Sequence, residues 1–112
     1  MKTPLGLVIA GLFEPYDFES ITISTSVVGL TESKYKPATQ ILSNTDRPAV
    51  RVIITSEGAF RYRYDGGEPT SSIGHVITSG DVVMLVGEFA IKNFKAVRSG
   101  VSDAVIRATY ER

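Results

Sequence analysis

Residues 50–67 read VRVIITSEGAFRYRYDGG. In the first run Val50, Val52 and Ile54 fall on one side of an extended chain, with Arg51 and Thr55 on the other. Successive strand side chains point to opposite faces, so this is a strand with one face to bury. Phe60, Tyr62 and Tyr64 then alternate in the same way with Arg61 and Arg63. Glu57-Gly58 turns the chain between the runs, and Asp65-Gly66-Gly67 ends the second. Glycine supplies the positive φ of a tight turn without a Cβ clash.

The same grammar extends in both directions. Ile21, Ile23, Thr25 and Val27 alternate with Thr22, Ser24 and Ser26, which predicts a strand with one polar face. Asp81 to Val86, after the Ser79-Gly80 turn, is almost continuously apolar and reads as a central strand. Ile91 and Phe94 break strict alternation, and a bulge near Lys92-Asn93 would restore it. After the Ser99-Gly100 turn, Ala104, Ile106, Ala108 and Tyr110 form a closing strand. Residues 32–48, with Pro37, Asn44, Asp46 and Pro48, read as an irregular connection holding one short strand near Gln40 to Leu42. No stretch of eleven residues carries a helical period. About seven strands result, at the roughly 8–12-residue spacing of a sandwich, so the expected fold is an all-β, immunoglobulin-like β-sandwich.

Composition agrees. The chain has 112 residues, 43% of them hydrophobic, which suits one domain with a core of its own. Val, Ile, Phe and Tyr dominate that core, as a pleated surface favours. There is no cysteine, which excludes disulfides and thiolate zinc sites. Twelve basic residues balance twelve acidic ones. A sequence-independent nucleic-acid binder needs a basic surplus to displace counterions, so no nucleic-acid partner is expected.

The start, MKTPLGLVIAGLF, has one base and an apolar run from Leu5 to Phe13. It has no small-residue cleavage site, as a signal peptide would, and is too short to cross a bilayer, so no membrane partner is expected. It reads instead as an apolar arm that docks on the domain or a neighbouring subunit, with Leu5, Leu7, Ile9 and Phe13 as candidate contacts. The acidic stretch EPYDFE, residues 14–19, follows. This mild charge asymmetry is compatible with head-to-tail contacts between copies, or with surface chance. The expected division is an arm over 1–19 and a sandwich over 20–112.

Chemistry-bearing patterns are sparse. Ser71 or Ser72 with His75 and Asp65 could be drawn as a hydrolase triad, but no G-x-S-x-G elbow is present. Asp65, Glu68 and Asp81 offer oxygens for calcium, without the D-x-D-x-D-G spacing. Asp65-Gly66-Gly67 is followed by neither Lys-Ser/Thr nor a helix, so it is not a phosphate loop. No catalytic residue, cofactor or metal ligand is assigned. Within the Asp65 to Thr70 loop, Asp65 and Thr70 are expected to accept backbone N–H bonds, Gly66 or Gly67 to take positive φ, and Pro69 to stiffen the loop. Arg51, Arg61, Arg63 and Arg107 would form a basic stripe if their strands shared a sheet. Arg61 and Arg63 are thus candidate partner contacts, against ordinary cross-strand pairing with Glu57 or Glu111. A sugar-binding face needs exposed aromatics. There is no Trp, and only Tyr16 and Tyr35 lie outside core-like alternation.

The residues Phe60-Arg61-Tyr62-Arg63-Tyr64-Asp65-Gly66-Gly67-Glu68-Pro69-Thr70 resemble the I-x-Y-T-x-D-G-S-x-P-T signature of the chitobiase/hexosaminidase C-terminal immunoglobulin-like domain. Ala90 to Val97 is similar to that family's T-I-K-A-I-A-V strand, and Val101-Ser102-Asp103 through Tyr110 to its closing strand. The whole chain resembles small virion proteins of tailed bacteriophages more closely. The counterparts are Arg61-Tyr62-Arg63, Asp65-Gly66, Pro69-Thr70, Gly74-His75, Gly80-Asp81, Leu85-Val86-Gly87 and Phe94 to Arg98.

That resemblance implies a non-enzymatic protein of the virion, assembled in the host cytoplasm, with capsid or other virion proteins as partners and a homo-oligomeric state. Capsid decoration or cementing is the expected role. A neck or tail component is the alternative within this class, and a carbohydrate-binding accessory domain the alternative outside it.

Overall fold

The computed structural model describes residues 13–37 and 47–112. It contains eight strands: β1 (Pro15–Ile23), β2 (Val28–Gly29), β3 (Arg51–Glu57), β4 (Phe60–Arg63), β5 (His75–Ile77), β6 (Val82–Val86), β7 (Lys95–Arg98) and β8 (Ala104–Glu111). Two short helices, α1 (Glu32–Tyr35) and α2 (Glu88–Asn93), lie between them. The strands form two four-stranded sheets, in the orders β1-β8-β3-β6 and β2-β7-β4-β5. All pairings between them are antiparallel. The fold is therefore an all-β sandwich, and among the described residues only the β4–β5 connection stays within one sheet.

Alternation sets the core. β8 buries Ala104, Ile106, Ala108 and Tyr110, β3 buries Val52 and Ile54, and β6 buries Val83 and Leu85. The second sheet answers with Phe60, Ile77 and Ala96, and all of these belong to one apolar cluster. The β3–β4 turn carries the chain between the sheets, where the buried Ser56 hydroxyl donates to the Gly58 carbonyl at 2.8 Å.

Four expectations change. First, the break in alternation at Ile91 and Phe94 marks α2, not a bulge. Side chains three apart share one side of a helical turn, so both can be buried. Glu88 in the first turn and Lys92 in the last complement the helix dipole. Six residues are too few to show a period.

Second, the alternation of residues 21–27 is not one strand. β1 ends at Ile23, and Val28–Gly29 is a separate strand of the other sheet. Third, residues 15–19, read as part of an arm, lie in β1 and pair with β8 across a bulge between Pro15 and Asp17. Glu14 and Arg112 extend this ladder with reciprocal backbone bonds of 2.7 and 2.9 Å. Fourth, β6 is an edge strand. The expected strand near Gln40 to Leu42 lies outside the described residues, and α1 occupies part of the connection read as irregular.

Candidate functional site

The Asp65 to Gly74 loop folds over the outer face of the second sheet. Asp65 Oδ1 accepts from the Gly67 N–H at 3.1 Å, and its carboxylate pairs with Arg63 at 2.7 Å. The bond from Arg63, with that from the Gly67 N–H, holds the Asp65 carboxyl down at about 2. Gly66 has φ +93°. Thr70 Oγ1 accepts from the N–H groups of Ser72 and Ile73 at 3.2 and 3.0 Å. Pro69 is buried. Arg61 reaches beneath the loop and donates to the carbonyls of Ser71 and Gly74, both at 3.0 Å. The loop is thus a clasp, and its guanidinium pin is Arg61, which the sequence offered as a partner contact.

The four arginines form no common stripe. Arg51 and Arg107 belong to the first sheet and Arg61 and Arg63 to the second. Each is engaged within the chain: Arg51 with Glu111, Arg107 with Glu57 at 2.5 Å, Arg63 with Asp65, and Arg61 with carbonyls. The carboxylates of EPYDFE are likewise used internally. Glu14 pairs with Arg112 at 3.0 Å and Asp17 with Lys34 at 3.2 Å. Glu19 accepts from the Thr31 hydroxyl at 2.6 Å and from the buried Tyr110 hydroxyl. Asp17 and Glu19 share a face with Ile21 and Ile23, and they meet the segment around α1.

The triad residues are not assembled. Among the described residues, no hydrogen bond joins His75 to Ser71, Ser72 or Asp65, and Asp65 is held by Arg63. His75 instead lies against Tyr62 and Tyr64, with centroids 5.2 and 5.9 Å away. Asp81 closes its own turn by accepting from the Thr78 N–H and hydroxyl at 2.9 and 3.1 Å. Among the described residues, no group of three or more His, Asp or Glu side chains could hold a metal ion.

Two surfaces stand out that alternation alone does not reveal. At one end of the second sheet, Tyr62 runs from buried Phe94 to exposed Tyr64 and His75, with ring centroids 5.5, 6.1 and 5.2 Å away respectively. Tyr64 is in phase with the core residues, yet β4 ends at Arg63 and leaves it exposed. Arg63, Tyr64, Asp65 and His75 line an open concavity of about 270 Å³ there.

The other surface is the outer face of the first sheet. The register aligns Phe18, Thr109, Ile53 and Met84 in one row across all four strands. Val82, Met84, Val86 and, just beyond, Phe89 are 61%, 54%, 62% and 71% exposed. At the Val86 end Phe13 lies on the Arg51 guanidinium, 3.9 Å from ring centroid to carbon. Phe13 is half-buried, while Leu5, Leu7 and Ile9 lie outside the described residues.

Comparison of the chain with protein-family models, with curated proteins and with solved structures gives no match.

Proposed function

We propose that this chain is a non-enzymatic structural protein of a tailed-bacteriophage virion, added to the capsid as a decoration or cement protein. The observation that carries the reading is the apolar β6 margin of the first sheet's outer face. Val82, Met84, Val86 and, just beyond, Phe89 are all more than half exposed there. Clustered apolar surface of this kind marks protein contact. The clasp, the Arg–carboxylate pairs and the buried Tyr110 make the body a rigid support for such a contact. The sequence resemblance to small virion proteins selects the particle as the setting.

The test is the protein content of purified virions of a phage that encodes the chain. Quantitative mass spectrometry should find it in a fixed, high ratio to the major capsid protein. A few copies per particle would move it to the neck or tail. Absence from particles would overturn the proposal.

One observation favours a second reading, a carbohydrate-binding accessory domain. Tyr64 and His75 form an exposed aromatic pair beside the Arg63–Asp65 ion pair, where a sugar ring could stack. Titration with chitin and peptidoglycan oligosaccharides, followed by tyrosine fluorescence in the wild type and in Tyr64→Ala, distinguishes it from the first.

A further inference from the structure

β6 combines properties that natural sheet edges avoid. Unpaired strand edges offer free N–H and C=O groups, and proteins blunt them with charge, proline, bulges or shortness. Three of the four edges here are blunted. β1 has Pro15, Asp17, Glu19 and a bulge. β2 is two residues long and β5 three. β6 reads Val-Val-Met-Leu-Val, with no charge, proline or bulge, and no described strand pairs with its outer side.

The ladder fixes which groups are free. Gly87 N–H donates to the Val50 carbonyl at 2.8 Å, two residues beyond the Leu85–Val52 pair. Hydrogen-bonded and non-hydrogen-bonded pairs alternate in an antiparallel ladder. Val83 and Leu85 therefore turn their N–H and C=O groups towards β3, and Val82, Met84 and Val86 turn theirs to the open edge.

We propose that β6 pairs antiparallel with β6 of a second copy about a two-fold axis at Met84, joining the two first sheets into one continuous sheet. This gives a partner to the open edge of the first sheet, whereas the reading above concerns its outer face, so it rests on neither that reading nor the virion setting. The strand is self-complementary, as a two-fold contact requires. Met84 meets Met84, Val82 meets Val86, and Val83 meets Leu85. All three outward-facing residues then sit in hydrogen-bonded pairs, and three pairs of two bonds give six main-chain bonds. Charge agrees: Asp81 falls opposite Gly87 and Glu88 opposite Gly80, so the flanking acids do not face each other. Edge-to-edge pairing covers mainly main chain and the flanks of Val82, Met84 and Val86, well under the roughly 800 Å² per partner of a standard interface, so dimerisation should be weak in dilute solution.

The test uses the purified full chain alone, so its outcome is independent of virion incorporation. Sedimentation equilibrium should show the mean mass rising from one chain towards two between about 10 µM and about 1 mM, the range of a small interface. Met84→Lys sets like charges across the axis at a solvent-facing position. It should weaken dimerisation at least about tenfold and leave the melting temperature nearly unchanged. Met84→Cys introduces the sole cysteine of the chain. Cα atoms in a hydrogen-bonded pair lie about 5.5 Å apart, within disulfide range, so mild oxidation should cross-link it rapidly. Val101→Cys, 94% exposed on a loop, should not cross-link. A monomer throughout, dimerisation unaffected by Met84→Lys, or cross-linking at 84 no faster than at 101 would each overturn the proposal.

Discussion

Glu19 is the residue whose replacement tests most of the fold's logic. Its carboxylate accepts from the Thr31 N–H at 3.2 Å, the Thr31 hydroxyl at 2.6 Å and the Tyr110 hydroxyl, so it ties β1 to β8 and to the segment before α1. Tyr110 is fully buried. Glu19→Ala strands its phenolic O–H, at about 1–3 kcal/mol for an unsatisfied buried donor. The two bonds to Thr31 are solvent-exposed and add about 1 kcal/mol. The total of about 2–4 kcal/mol should lower the melting temperature by roughly 10–15 °C for a domain of this size. Glu19→Gln keeps an acceptor and should cost about 1 kcal/mol. The assay is a double-mutant cycle by urea denaturation. In a Tyr110→Phe background no hydroxyl remains to be stranded, so Glu19→Ala should cost only about 1 kcal/mol. An equal cost in both backgrounds would refute the hub, as would a Glu19→Ala protein that melts like the wild type.

Alkaline pH should attack the same site. Burial, and then the hydrogen bond to Glu19, raise the Tyr110 pKa above its ordinary 10.0, and burial raises Tyr16, Tyr35 and Tyr62 as well. The folded chain therefore holds these protons more tightly than the unfolded chain. The resulting stability is fully present below about pH 10 and lost as pH rises beyond it. Urea midpoints should fall above that pH, less so in Tyr110→Phe, with tyrosinate absorbance appearing as the chain unfolds. In the clasp, Gly66→Val should cost about 1–3 kcal/mol through φ alone, since the nearest atom to its Cβ is Asn93 Oδ1 at 4.0 Å. Gly74→Val should cost more, because at φ +128° its Cβ also meets the Tyr62 carbonyl oxygen at 3.0 Å, and thermal melts of the pair should rank them so. On the proposed virion role, His75→Ala and Ser72→Ala should leave incorporation into particles unchanged by quantitative mass spectrometry; loss in either variant with the circular dichroism of the wild type would place that residue in the contact with the particle.

Much of the strand inventory is legible in local pattern. The alternation of Val52 and Ile54, and of Ala104 to Tyr110, together with Phe60, predicts buried side chains, because a strand's period of two is a local property, while Val50 and Tyr64 at the strand ends stay exposed. The Asp65 to Thr70 clasp is equally local: its glycine and its two side-chain acceptors act within three residues of themselves. α2 escapes because its six residues are shorter than the window a helical period needs.

Neighbourhood across the sheets is a different kind of information. An apolar run such as Val82 to Val86 has the same composition whether another strand lies on one side or both, so only the order β1-β8-β3-β6 makes it an edge. The position of Arg61 under its own loop, the division of four arginines between two sheets and the exposure of Tyr64 also follow from which strands lie side by side and where they end. Glu19 looks like a surface acid until Tyr110, 91 residues further along, is set against it. From the sequence alone come the β class, the turns, the faces and the absence of cysteine chemistry, all of which depend on residues close together along the chain. The tertiary structure alone decides which faces stay open, because solvent exposure depends on what the rest of the chain leaves uncovered.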